Sequence, residues 1–167
     1  MAIHRGTASL SIMSELRLEE LSAATIVHVN ALGLKPGQEQ FITPVSYAAA
    51  AAVTPADSAW QRVVLRGDRV VGFIHANFDP EATQEEFRAA LWRINVDADE
   101  QGSGIGSFAV EALVQEAGRR GVDRLTVLWE RGEEGPEGFF LRQGFTPVGE
   151  TPYGEVIGAI EVSRPSH

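Results

Sequence analysis

Gln101-Gly102-Ser103-Gly104-Ile105-Gly106 stands between two segments of different period. Upstream, Ala90, Trp92, Ile94 and Val96 alternate with Leu91, Arg93, Asn95 and Asp97, which predicts a strand with one apolar and one mixed face. Downstream, Ile105, Phe108, Ala109, Ala112, Leu113 and Ala117 recur at helical spacing. Glycines at alternate positions between a strand and a helix let successive backbone amides turn toward one point. The helix adds its unpaired N–H groups and the positive end of its dipole. Together these make an anion site suited to a pyrophosphate. A nicotinamide-type dinucleotide site fits poorly, since that fingerprint has two residues before its last glycine and follows an early buried strand. A purely structural tight turn stays open at this point.

Working outward, residues 14–19 alternate and predict a first strand, and Ser22 is placed to cap a helix running to about Leu32. Lys35-Pro36-Gly37 breaks that helix, and an alanine-rich second helix is expected over roughly 44–53. Gly67-Asp68 between two apolar runs, Trp60 to Arg66 and Arg69 to Phe78, predicts a hairpin. Residues 81–87 are polar and predict a loop. Arg119, Arg120 and Gly121 end the helix after the glycine-rich turn. Leu125, Val127 and Trp129 mark a fifth strand, Pro136 opens a short helix that stops at Gly144, and Phe145–Val148 and Glu155–Val162 form the last two strands. The order β-α-α-β-β-β-α-β-α-β-β predicts a mixed sheet of the α+β type. Its first half is antiparallel, with one parallel crossover around the central helix.

The chain of 167 residues fits one domain, expected over residues 14–162, with tails at 1–13 and 163–167 and Met13 as an alternative start. Hydrophobic residues make up 44 %, enough for a sizeable core, and the longest apolar run, Ala48 to Val53, is too short to span a membrane. Residues 1–12 lack the apolar stretch of a secretory signal. With no cysteine there is no thiolate nucleophile, no disulfide and no cysteine-ligated zinc; no metal is expected, and a cytoplasmic location is. A formal net charge of −9 disfavours nucleic acid and anionic membranes as partners and tolerates a cationic substrate. The lone lysine, Lys35, follows no phosphate-cradling glycines, which argues against P-loop nucleotide chemistry.

Residues 92–149 resemble the core of the GNAT superfamily of acetyltransferases. Gln101, Gly104 and Gly106 match its Arg/Gln-x-x-Gly-x-Gly/Ala coenzyme A loop, and Phe139-Phe140-Leu141-Arg142-Gln143-Gly144-Phe145 is similar to its second motif. Gly37-Gln38-Glu39-Gln40-Phe41 with Pro44, and Gly135-Pro136-Glu137-Gly138-Phe139, resemble the bacterial spermine/spermidine (diamine) acetyltransferase branch. The resemblance implies the GNAT fold, with its two central parallel strands splayed to admit acetyl-coenzyme A. It implies transfer of acetyl to a primary amine, and often a homodimer. It places Asn95, Val96, Gln101, Gly102, Ser103, Gly104, Ile105, Gly106, Ser107, Phe139, Phe140 and Arg142 at the cofactor. The backbone N–H of Val96 takes the oxyanion role, and Ser103 is a phosphate contact in place of a nucleophile.

With no cysteine acyl intermediate available, the amine attacks directly in a ternary complex. An alkylammonium with a pKa of about 10 must first lose a proton. The glutamate that many relatives carry early on the fourth strand is Ala90 here, so Glu130, Asp97, Asp99 and His75 are the candidate bases, Glu130 foremost. The tyrosine that often protonates the departing thiolate is Phe140, which leaves Tyr153 or water, and the asparagine expected seven residues earlier is Glu133. Glu39, Glu130, Glu133 and Glu134 form an acidic set suited to a polyamine acceptor, and Trp92 is a candidate substrate contact. A protein or peptide acetyltransferase, or a coenzyme A-binding module with little catalysis, are the competing expectations.

Overall fold

The computed structural model describes residues 16–32, 54–100, 102–132 and 135–163. The elements in chain order are β1 (Leu16–Glu20), α1 (Ala23–Asn30), β2 (Ala59–Arg66), β3 (Arg69–Phe78), β4 (Ala89–Val96), α2 (Ile105–Arg119), β5 (Arg124–Trp129), α3 (Glu137–Arg142), β6 (Thr146–Glu150) and β7 (Val156–Glu161). The expected loop at 81–87 contains a single 3-10 turn, Glu85–Phe87. The expected helix at 44–53 and the tail at 1–13 lie outside the described residues.

The strands form one seven-stranded sheet in the order β1-β2-β3-β4-β5-β7-β6. Every neighbouring pair is antiparallel except β4 and β5, which are parallel. This is the mixed α+β sheet that the element order predicts. The β2–β3 hairpin closes with Arg66 opposite Arg69 and Gly67 at φ 62°.

The two faces of the sheet are covered differently. Against one face, α2 and α3 bury Ile105, Leu113 and Phe140 on Ile74, Leu91, Leu125 and Trp129. Against the other, Val29 of α1 packs on Val63, Leu65, Val70 and Phe73. The first layer exists because α2 presents apolar residues at i, i+4 and i+8 (Ile105, Ala109, Leu113), the stripe that helical spacing requires. Its last turn ends in a Schellman cap: Val122 N–H donates to Ala117 O at 3.0 Å, Gly121 N–H to Gly118 O at 3.1 Å, and Gly121 sits at φ 76°.

Trp129 occupies the end of β5 and lies close against the backbone of β7. A Cβ added at Gly158 on β7 would lie 2.3 Å from its Cζ3. The ring stacks on Phe140 with centroids 5.6 Å apart, and its Nε1 donates to Glu137 Oε2 at 2.8 Å, pinning the first turn of α3 to β5.

Candidate active site

The strands β4 and β5 are paired over a short stretch only, the start of β4 against the middle of β5. Ala90 pairs with Thr126 and Leu91 with Val127, yet β4 continues to Val96 and β5 to Trp129. Just where the pairing stops, the register of β4 against β3 jumps: His75 faces Arg93 and Ala76 faces Leu91, leaving Trp92 as an extra residue. A bulge of this kind bends its strand and increases the local twist, so it accompanies the parting of β4 from β5.

The bulge also corrects the simple alternation expected for residues 90–97. Ala89, Leu91 and Ile94 face the α2 layer. Trp92 instead packs with Ala90 and Leu128 on the opposite face, and the Arg93 guanidinium lies over Phe73 of the α1 layer. The extra residue puts Trp92 and Arg93 side by side on one face, where strict period-two pleating would separate them.

Val96 closes β4. It is the register partner of Gly72, and the following amide, Asp97 N–H, donates to Val71 O at 2.9 Å. That pattern marks Val96 and Gly72 as a non-hydrogen-bonded pair, so the Val96 N–H is turned away from β3 toward the gap beside β5. An amide aimed into a gap between parted strands has the direction an oxyanion donor needs.

Beyond Val96, Asp97 accepts the Asp99 N–H at 2.8 Å and ion-pairs Arg69 at 3.2 Å. Glu100 meets Arg66 at 3.2 Å and Arg69 at 3.7 Å. These four side chains tie the start of the glycine-rich turn to the β2–β3 hairpin. Ser103 closes the turn: its N–H (3.2 Å) and its hydroxyl (2.6 Å) both donate to Glu100 O. Its expected phosphate contact is thus engaged in the loop itself. Gly102 and Gly104 lie at φ 82° and 86°, with nothing within 4 Å of a Cβ added at either. The N–H groups of Gly102, Gly104, Ile105, Gly106 and Ser107 donate to no described residue; the first such bond in α2 is Phe108 N–H to Gly104 O at 3.0 Å. A row of open amides beside left-handed glycines at a helix start fits a diphosphate. Gly106 is pressed against Phe139, whose Cε1 would lie 2.9 Å from an added Cβ, and Gln143 Nε2 donates to Ser107 Oγ at 2.9 Å, so α3 is locked to this turn.

On the α1 face of the gap lies a polar group set among buried surroundings. Asn77 and Asn95 are only 3 % and 8 % exposed. His75 Nε2 stands 3.0 Å from Asn77 Nδ2, its ring centroid is 5.6 Å from that of Trp92, and Arg93 Nε donates to Asn95 Oδ1 at 2.6 Å. Burial, and secondarily the Arg93 charge, hold the His75 imidazole below the usual histidine range of 6.5; its hydrogen bond with Asn77 works the other way. His75 is therefore neutral at neutral pH, and its Nε2 lone pair accepts from Asn77 Nδ2 at 3.0 Å.

The remaining expected residues are placed as follows. Phe140 is a core residue, stacked on Trp129 and edge-on to Phe145, with no hydroxyl to offer at this position. Arg142 is exposed at the end of α3. Glu130 is exposed immediately after β5, and Tyr153 is 64 % exposed in the β6–β7 turn. Since Val156 pairs with Trp129, that turn sits beyond the same end of β5, and the structure brings Glu130 and Tyr153 to the edge where the glycine-rich turn begins. Gln101, Glu39, Glu133 and Glu134 lie outside the described residues. Asn77 and Arg93 are the site residues that sequence inspection misses. A polar residue every second position on β3 (His75, Asn77) was the available signal, but only the β4 bulge brings Arg93 to join them.

The acetyltransferase (GNAT) family matches the chain over residues 29–145, and the chain belongs to that family. Its fold is shared with solved structures of low sequence identity. A putative GNAT acetyltransferase from Desulfovibrio desulfuricans superposes with a TM-score of 0.67 at 18 % identity, covering 89 % of this chain and 99 % of that one. The PaiA N-acetyltransferase from Thermoplasma acidophilum, solved in complex with coenzyme A, gives 0.65 at 12 %, with 87 % and 98 % covered. The ribosomal-protein-S18-alanine N-acetyltransferase from Escherichia coli gives 0.62 at 18 %, with 90 % and 96 % covered. No curated protein matches by sequence.

Proposed function

We propose that the protein transfers an acetyl group from acetyl-coenzyme A to a primary amine by direct attack in a ternary complex. One observation carries this: the amides of Gly102 and of Gly104 to Ser107 donate to no described residue, in the turn that follows β4 where it has parted from β5. The amides at 102 and 104–107 hold the diphosphate, and the Val96 N–H donates to the thioester oxygen as negative charge grows on it, an effect worth about 3 kcal/mol for one such donor. The amine nitrogen bonds to the acetyl carbon, the carbon–sulfur bond breaks, and the sulfur leaves as thiolate.

His75 is the group best suited to take the amine proton, directly or through one water. It is half-buried and neutral, on the α1 face beside Arg93 of β4, and it takes the proton at Nε2 in exchange for the Asn77 hydrogen bond. Asp97 is committed to Arg69 and to the Asp99 amide. Glu130 is exposed to water, and stays as the second candidate. Tyr153 is the phenol near this edge that can return a proton to the thiolate, in place of the tyrosine that Phe140 replaces.

A polyamine acceptor rests on the acidic set Glu39, Glu130, Glu133 and Glu134, of which Glu130 alone is described. A protein N-terminus is the other amine source that the shared fold accommodates. The test is release of coenzyme A thiol on mixing the protein with acetyl-coenzyme A and a panel of polyamines, aminoglycosides, amino acids and peptides. Turnover with at least one amine is expected. Coenzyme A binding without turnover across the panel would reduce the protein to a binding module, and failure to bind coenzyme A would refute the assignment of the turn.

A further inference from the structure

Arg93 is an unusual residue to find at the mouth of a site that must accept an amine. A protonated amine approaching the gap from the α1 face meets a fixed positive charge that raises the cost of its entry. The bulge at Trp92 is what turns Arg93 to this face. Its Nε is spent on Asn95 Oδ1, and the guanidinium plane lies 5.7 Å from the Phe73 ring centroid. These two contacts fix the fork and leave both terminal amino groups facing outward, since no described residue accepts a hydrogen bond from them. Most other described arginines meet a carboxylate within 4 Å: Arg66 and Arg69 hold Glu100, Arg124 holds Glu161, and Arg131 holds Glu150. Arg93 meets none among the described residues, although the chain carries a net charge of −9 and 23 acidic residues. A guanidinium whose Nε is tethered and whose two amino groups are presented together is preorganised for bidentate recognition of a carboxylate.

Resting on the acetyltransferase assignment, we infer that the acceptor is a primary amine carrying a carboxylate, and that Arg93, positioned by Asn95 and Phe73, binds that carboxylate. The carboxylate supplies the counter-charge that lets the amine enter beside a cation. Trp92 and Leu128 form the apolar floor beneath the acceptor's carbon chain. Neutral His75 lies next to Arg93 in the β3–β4 register, so the bound carboxylate leaves the amine on the side of the proton acceptor. A polyamine, cationic along its whole length, would be the acceptor this site disfavours.

The test uses matched pairs differing only in the carboxylate, lysine against cadaverine and alanine against ethylamine, with an acidic and a neutral tetrapeptide to separate free amino acids from peptide sources. Thiol release should show a KM about 10- to 100-fold lower for the carboxylate member of a pair, the range expected for one charge-assisted contact. Arg93→Gln should bring the two members to within about threefold of one another, and Arg93→Lys should restore part of the preference. A binding measurement needing no turnover runs alongside: calorimetric titration of N-acetyl-lysine and N-acetylcadaverine into the coenzyme A complex. Preferential binding of the former, lost in Arg93→Gln, supports the inference even if catalysis is slow. Equal or better use of cadaverine or spermidine, or an Arg93→Gln variant with unaltered preference, overturns it while leaving amine acetylation standing. Absence of coenzyme A binding overturns the acetyltransferase assignment instead.

Discussion

Replacing Gly104 with alanine separates the two roles of the glycine-rich turn. Gly104 is the residue before α2, at φ 86°, and no atom of a described residue beyond its chain neighbours lies within 4 Å of the added Cβ. The methyl group therefore meets no clash, and the whole penalty is conformational, about 1–2 kcal/mol for an L-residue held in the left-handed region. For a domain of this size that is a loss of roughly 2–8 °C in Tm. The chain can relieve it by rotating φ to negative values, which swings the Ile105 and Gly106 amides off their common direction. Losing one amide-to-phosphate bond costs about 1.5–3 kcal/mol, so coenzyme A should bind at least about 10- to 150-fold more weakly. Gly121→Ala is the control: φ 76°, again nothing within 4 Å, but at the far end of α2. It should lose the same stability and keep its coenzyme A affinity. Thermal melts and calorimetric titration of coenzyme A read both variants. Equal affinities in the two, with comparable Tm losses, would refute the diphosphate role of the turn.

Gly158→Ala should be destabilising by about 2 kcal/mol in chemical denaturation: overpacking against a Trp129 ring only 1 % exposed costs up to about 3 kcal/mol, against about 1 kcal/mol regained from strand propensity. In a Trp129→Phe background, where the fused benzo ring of the indole that makes the clash is removed, the same change should be close to neutral, and additive effects would show that the ring is free to move. The acid limb of the kcat/KM profile should fall below pH 6.5, because His75 is held neutral and loses function only when protonated. His75→Gln should abolish that limb and lower kcat. The native state binds this proton less readily than the unfolded chain does, so wild-type stability should decline as pH falls from 6.5 toward the lowered folded value, and the variant should lack that contribution. A limb that survives His75→Gln would move the base to Glu130.

Much of this protein is written locally. The strand, glycine turn and helix around residue 104, the β2–β3 hairpin at Gly67, and the Schellman stop at Gly121 follow from short-range backbone preferences that any context would respect. The alternating and 3.6-residue patterns settle the element order, and with it the mixed sheet, because each element must bury one face. Long-range pairing decided the rest. Which β4 residues face which layer depends on one extra residue, Trp92, where the β3–β4 register shifts, and no period in the sequence marks it. That slip brings Arg93, Asn95, His75 and Asn77, drawn from two strands up to twenty residues apart, onto one face. Conversely, Phe140 shares its motif with residues at the turn but is buried on Trp129, because α3 must also complete the core. Local sequence sets where the backbone can turn; only the closed sheet determines which side chains those turns deliver to the gap.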